Sequence, residues 1–230
     1  SALDAAVEQL WKAGVVVVVS AGNKGPSSDS NNTISYAPAN DPFAITVGSI
    51  DENGQTGLPD FSYAAFSSYG KTIDGFSKPD LMAPGTHIVS YLPSGILKTS
   101  YPARVVDDNY YMMSGTSMSS PVVSGTVALL LQAYPNLTPD QVKHVLKATT
   151  KDYGQNNGTQ PAGTPGVLQA NLAIDYVGST LNSGGLVPSD NQGVSLSPII
   201  SADGDTVTFN NMTWSNMTWS NMTWSNIINY

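Results

Sequence analysis

The sequence predicts an α/β fold built on a parallel sheet, and three observations predict it. Ala2 to Lys12 sets Leu3, Ala6, Val7, Leu10 and Trp11 at helical spacing, and five consecutive valines, Val15 to Val19, follow almost at once. Such a β-branched run without polar alternation reads as a strand covered on both faces, as in a parallel sheet between helices. A segment from Ser117 through Val122, Val123, Val127, Ala128, Leu129, Leu130 and Leu131 is apolar nearly all round, which reads as a buried central helix.

The elements follow in order. Ser1 stands at an N-cap position and Gly14 ends the first helix. Phe43 to Val47 is a second buried strand, and Leu81-Met82 and His87 to Tyr91 are shorter edge pieces. Pro135 stops the central helix, and Thr138-Pro139-Asp140-Gln141 then forms a capping box with Pro at the first helical position. Val142, Val145, Leu146 and Ala148 give that helix its apolar face. Asp152 to Gly166 is a Gly-, Asn- and Pro-rich break, and Val167 to Val177 is a final short helix.

Residues 1–177 therefore read as one domain, 178–210 as linker and hairpin, and 211–230 as a tail. The hairpin would span Val194 to Phe209 and turn at Ala202-Asp203-Gly204-Asp205. The tail repeats Asn211-Met212-Thr213-Trp214-Ser215 from Asn216 and again from Asn221. If it is extended, the odd spacing puts Trp214, Trp219 and Trp224 on alternating faces, and so much apolar surface suits association with another chain.

Composition narrows the function. With 9 basic and 17 acidic side chains the net charge is -8, the wrong sign for a nucleic-acid backbone. No apolar run approaches the ~20 residues of a membrane span. The absence of cysteine excludes disulfides and thiolate nucleophiles. Few charges among many Ser, Thr, Asn and Gly residues suit an extracellular protein.

Two segments carry chemistry. Ser20-Ala21-Gly22-Asn23 follows the valine strand, and ligands of open parallel sheets bind beyond the carboxyl ends of strands. An amide donor there is aimed at such a site, although Asn and Gly also simply make turns. Ser114-Gly115-Thr116-Ser117-Met118-Ser119-Ser120-Pro121 opens the central helix. A hydroxyl among the unpaired amides of a helix N-terminus lies in a positive potential, although a serine there also serves as a cap.

Together, Gly115-Thr116-Ser117-Met118-Ser119-Ser120-Pro121, Ser20-Ala21-Gly22-Asn23 and Met82-Ala83-Pro84-Gly85 resemble, in order and spacing, segments of the subtilisin-like serine proteases, the subtilases. The resemblance runs from about Ser1 to Val177 and implies a subtilisin-like, three-layer parallel-sheet fold, present in part, with a small extended tail. It implies that Ser117 is the nucleophile, that the Asn23 side chain and the Ser117 amide form the oxyanion hole, and that Ser20, Ala21 and Gly22 wall the pocket for the residue before the cut bond. The implied enzyme is a secreted bacterial endopeptidase acting on peptides and proteins.

The chain departs from the family in one large respect. Serine protease chemistry needs a His base and an orienting Asp. The family's motifs for both precede the segment seen here, and neither occurs; His87 and His144 lie in other settings. The favoured reading is that an N-terminal fragment of the same precursor supplies them. The alternatives are an inactive structural chain that assembles through its tail, or a protein that binds peptides without cutting them. No cofactor is required. The resemblance allows a structural calcium or sodium ion at Asp80 and the turn from Ala37 to Asp41, since oxygen ligands suit hard cations.

Overall fold

The computed structural model describes residues 1–26 and 34–196. The expected hairpin turn and the repeat tail lie outside these residues.

The first helix, α1 (Ala2–Lys12), has the expected cap: Asp4 N–H donates to Ser1 Oγ and the Asp4 carboxylate takes the Ser1 ammonium at 2.6 Å. It buries Ala5, Val7 and Trp11, and the indole of Trp11 donates to Asp140 Oδ1 at 2.9 Å. The valine run yields a shorter strand than expected, β1 (Val18–Ser20). Its residues are half-buried and Val15 is exposed, because among the described residues β1 has a strand neighbour on one edge only.

The centre of the sheet is β2 (Ile45–Asp51), longer than the expected strand and buried along nearly its whole length. Val47 pairs in parallel with Ser20 of β1 and with Leu81 of β6 (Leu81–Pro84), so β1 and β6 flank β2 on opposite edges. The antiparallel β3 (Ser62–Tyr63) joins β2 at Ile50 and Asp51. The order is thus an α/β one with parallel strands, as the sequence predicts, but Leu81-Met82 is not an edge piece. Met82 also bridges Val167, and its backbone is bonded on both sides. Two small antiparallel pairs complete the strands. One joins β4 (Gly70–Lys71) to β5 (Ser77–Lys78), and the other joins β7 (Ile88–Tyr91) to β8 (Tyr110–Met113). A short helix, α2 (Ile96–Ser100), lies between β7 and β8.

Alternation along the strands divides the core. Ile45, Val47, Leu81 and Ala83 join Trp11, residues of α3 (Thr116–Ala133), α4 (Pro139–Ala148) and α5 (Ala170–Asn182) in one cluster. Ile50 and Met82 pack instead with Phe61, Tyr153 and Val167. Burying one such side chain contributes about 1.5–3 kcal/mol, so the larger cluster fixes the helices on the sheet.

The structure differs from the sequence reading in four places. Only one side of α3 is buried, through Thr116, Ser119, Val123, Thr126, Val127 and Leu130, while Val122 and Leu129 are exposed. On α4 the capping box forms, with Thr138 Oγ1 accepting from Gln141 N–H, but Ala148 is exposed and Lys143 is buried beside Val142. The expected boundary at Val177 falls inside α5, which runs to Asn182. The stretch expected to be linker is packed, with Val187 buried and its carbonyl accepting from Gln141 Nε2, and Val194 and Leu196 at the start of the expected hairpin lie against the large cluster. Among the described residues no helix is long and apolar enough to cross a membrane.

Candidate active site

The C-terminal end of β1 and the N-terminus of α3 meet, which brings Ser20-Ala21-Gly22-Asn23 against Gly115-Thr116-Ser117. Gly115 is the N-cap of α3 with φ 155°, a conformation open to glycine and costly for other residues. Thr116 and Ser117 are then the first two helical residues, whose amides have no intrahelical acceptor. Thr116 uses its amide on Asn23: its N–H and its Oγ1 both donate to Asn23 Oδ1, each at 2.9 Å. The same hydroxyl oxygen accepts from Gly22 N–H at 3.1 Å.

These bonds decide what Asn23 can do. With Oδ1 occupied twice, the carboxamide orientation is fixed and its NH₂ is the free end, a donor only. That end lies beside the α3 N-cap, since a Cβ built on Gly115 would sit 3.3 Å from Asn23 Nδ2. Ser117, the residue after Thr116, is exposed. Farther along the first turns, Pro121 removes the N–H that would bond the Ser117 carbonyl. Ser120 Oγ ties back onto the Thr116 carbonyl at 3.1 Å, and Met118 N–H bonds the Gly115 carbonyl at 2.9 Å.

The wall from Ser20 to Gly22 is built tightly. Ala21 is fully buried, its N–H donates to the Val47 carbonyl, and its own carbonyl accepts from the Tyr36 hydroxyl at 2.6 Å. Gly22 has φ +96°, and a Cβ there would lie 2.1 Å from the Tyr36 hydroxyl, so only glycine fits. Ser20 ends β1 and is half-buried.

Met82-Ala83-Pro84-Gly85 buttresses the other side. Gly115 N–H donates to the Gly85 carbonyl at 2.8 Å. A Cβ on Gly85 would come within 2.1 Å of Ser119 Oγ, 2.4 Å of Ser49 Oγ and 2.8 Å of the Gly115 carbonyl. The turn therefore presses its backbone onto the start of α3. Its neighbour His87, expected within a strand, instead has φ 57° just before β7, and its N–H donates to Ser114 Oγ. His144 on α4 is half-buried, with Nε2 3.4 Å from the Tyr176 hydroxyl. Among the described residues neither imidazole is hydrogen-bonded to Ser117.

Asp80 lies in a different place, in the buried junction of α4 with the sheet. Its Oδ2 accepts from Lys78 Nζ at 2.8 Å and from Thr46 N–H at 2.7 Å, and its Oδ1 lies 3.3 Å from Lys143 Nζ. Burial disfavours its charge, but the two ammonium groups outweigh burial and hold its carboxyl below the usual carboxylate range. A calcium or sodium ion here would need this carboxylate and the nearby carbonyls as ligands. The Pro42 and Ala44 carbonyls already accept from Lys143 Nζ at 2.5 and 3.1 Å, and Ala44 also accepts from Lys78 Nζ. A divalent ion about 4 Å from an ammonium would meet roughly 8 kcal/mol of repulsion at an effective dielectric constant of ~20. These residues do not fit a further cation. The sequence signal for this arrangement was Lys143 on the apolar face of its helix, between Val142 and Val145.

Comparison with known proteins gives one answer throughout. A family model described as the subtilase family matches residues 1–164. The chain is 44% identical over 146 residues to "Serine protease AprX" of Bacillus subtilis (strain 168), which covers 63% of the chain and 32% of that protein. It is 40% identical over 148 residues to "Extracellular serine proteinase" of Thermus sp. (strain Rt41A), covering 64% and 28%. Among solved structures it matches fervidolysin from Fervidobacterium pennivorans, described as a keratinolytic enzyme related to subtilisin, with a TM-score of 0.55, 32% identity, and coverage of 80% of this chain and 24% of that one. The chain thus spans about a quarter to a third of the length of these three proteins.

Proposed function

Since the chain belongs to the subtilase family, we propose that it is the nucleophile-bearing part of a serine endopeptidase, completed by an N-terminal part that supplies the Asp and the His. Ser117 Oγ attacks the peptide carbonyl as the His takes its proton. The Asn23 NH₂ and the Ser117 N–H receive the negative charge on the carbonyl oxygen. The His returns the proton to the leaving amine, an acyl-enzyme forms on Ser117, and water hydrolyses it. Ser20, Ala21 and Gly22 bound the pocket for the residue before the cut bond. The protein acts outside the cell, in keeping with the name of its Thermus relative.

The observation that carries this reading is the pair of bonds from Thr116 to Asn23 Oδ1. They leave an amide donor fixed beside an exposed serine at a helix N-terminus, which is what an oxyanion hole requires. A peptide-binding or structural role gives no reason for that orientation. The test is labelling with a fluorophosphonate. The isolated 230-residue chain should stay unlabelled, and the protein carrying the N-terminal part should be labelled at Ser117 and lose labelling and turnover as Ser117→Ala. A completed protein that hydrolyses peptides equally well as Ser117→Ala would overturn the assignment.

A further inference from the structure

Lys143 and Lys78 converge on one small set of oxygen atoms from three parts of the chain. Lys143 comes from α4, the Pro42 and Ala44 carbonyls from the turn before β2, and Asp80 from the turn before β6. Lys143 Nζ meets the two carbonyls and Asp80 Oδ1, and Asp190 Oδ2 lies 3.7 Å away. Lys78 Nζ meets the Ala44 carbonyl and Asp80 Oδ2. Both lysine side chains are almost entirely buried, at 1% and 2% exposure. Two carbonyls and a carboxylate are oxygen donors of the kind that a hard cation gathers into its shell, here three of the six to eight that calcium takes.

We propose that Lys143, with Lys78, is the built-in cation of this shell, so that the chain holds the junction of α4, β2 and β6 without a metal ion. A tethered ammonium supplies the charge that the carboxylate and carbonyl dipoles need, and no chelator removes it. It is also covalently part of α4, so its hydrogen bonds and ion pair tie that helix to the sheet. The exposed Lys147 pairs with Asp190 beside it at 3.0 Å and keeps that carboxylate turned toward the cluster.

A tethered cation has a consequence that a metal site lacks. Removing both ammonium groups while keeping the oxygen atoms should convert the junction into a metal site. In the double variant K78S/K143S the Pro42 and Ala44 carbonyls and Asp80 Oδ1 are left facing an emptied position, whereas in K143S alone the Lys78 ammonium stays on the Ala44 carbonyl and Asp80 Oδ2. The experiment compares the full 230-residue chain with its K78S/K143S variant by thermal unfolding in chelator, and in calcium or sodium chloride at matched ionic strength. The ¹⁵Nζ resonances of the lysines are followed by NMR in the unmutated chain. The expected result is that calcium leaves the Lys143 and Lys78 Nζ resonances of the unmutated chain where they are. K78S/K143S should melt lower in chelator and regain roughly 5–10 °C when the added cation is in ~100-fold excess over its dissociation constant. Calcium-induced loss or displacement of the Lys143 Nζ resonance overturns the proposal, and so does a folded K78S/K143S whose melting ignores both cations. If K78S/K143S does not fold, the Nζ resonances of the unmutated chain decide by themselves.

Discussion

Asn23 Oδ1 accepts two hydrogen bonds from Thr116, one from the backbone N–H and one from the side-chain hydroxyl, both 2.9 Å long. One residue thus fixes the orientation of the amide that faces the α3 N-cap. In the completed protein, Asn23→Ala should lower kcat by about 10²–10³, a range known from subtilisin itself, with little change in KM. Thr116→Val removes the hydroxyl's bond to Asn23 Oδ1 and the one it accepts from Gly22 N–H, and keeps the N–H bond to Asn23. The bond lost to Asn23 should cost about one ordinary hydrogen bond, roughly a fivefold loss in kcat, and the unpaired Gly22 amide should lower stability. Steady-state kinetics checks both. An unchanged kcat in Asn23→Ala removes it from the oxyanion role.

The turn at Gly85 is expected to be as sensitive as the reactive residues, for a steric reason. Gly85→Ala drives a Cβ into two buried hydroxyls and the Gly115 carbonyl. The hydroxyls belong to short buried side chains, so the backbone of Gly115 must move, and it carries Thr116 and Ser117 with it. The variant should lose about 1–3 kcal/mol of stability, and most of its turnover even at temperatures where it remains folded. Denaturant unfolding and activity measured on the same sample would show it.

What the sequence made legible follows from the range of the interactions. The first helix and the Thr138 capping box are local devices and appear with their bounds in the residue pattern. The motifs around Asn23 and Ser117 were visible as segments. Their meeting was not, because the bonds from Thr116 cross more than ninety residues of chain. The same holds for Lys143. A lysine between two apolar residues reads as the rim of a helix face, and only the fold brings Asp80 and two carbonyls to it. The strand β8 was missed because Tyr110–Met113 is only four residues long, without β-branched side chains, and pairs with a strand almost twenty residues earlier.

The segment after α5 supplies a further expectation. Val187 is buried, Asn191 Nδ2 donates to Asp140 Oδ1, and Lys147 pairs with Asp190. Ending the chain after Ser183 should therefore destabilise it, by roughly 2–3 kcal/mol from Val187 alone, where a free linker would cost nothing. The melting temperature of the shortened chain decides, with a chain ending after Leu196 as its control.

The last expectation concerns pH. Asp41 is 2% exposed, and its Oδ1 accepts from Phe43 N–H at 2.7 Å. Burial pushes its carboxyl up to about 7, and the charges of Glu8 and Asp4 add to the rise against the opposing pull of the Phe43 N–H and Lys78. Unfolded, the same carboxyl titrates near ~3.9. Between these values the folded chain holds a proton that the unfolded chain has lost, so stability falls as pH rises through this window and levels off above it. Lys78 has the opposite sign: burial lowers it to about 8, so its contribution improves only above that pH. Asp80, held low by its lysines, loses its contribution only as the pH falls into the carboxylate range. The window between about pH 5 and 7 therefore belongs to Asp41. Asp41→Asn keeps the acceptor for Phe43 and removes the charge at every pH. It should melt together with the unmutated chain near pH ~3.5 and roughly 4–8 °C above it near pH ~7.5, half of the full effect being allowed for relaxation around the carboxylate. Melting curves that stay parallel across the window would place the charge burden elsewhere than Asp41.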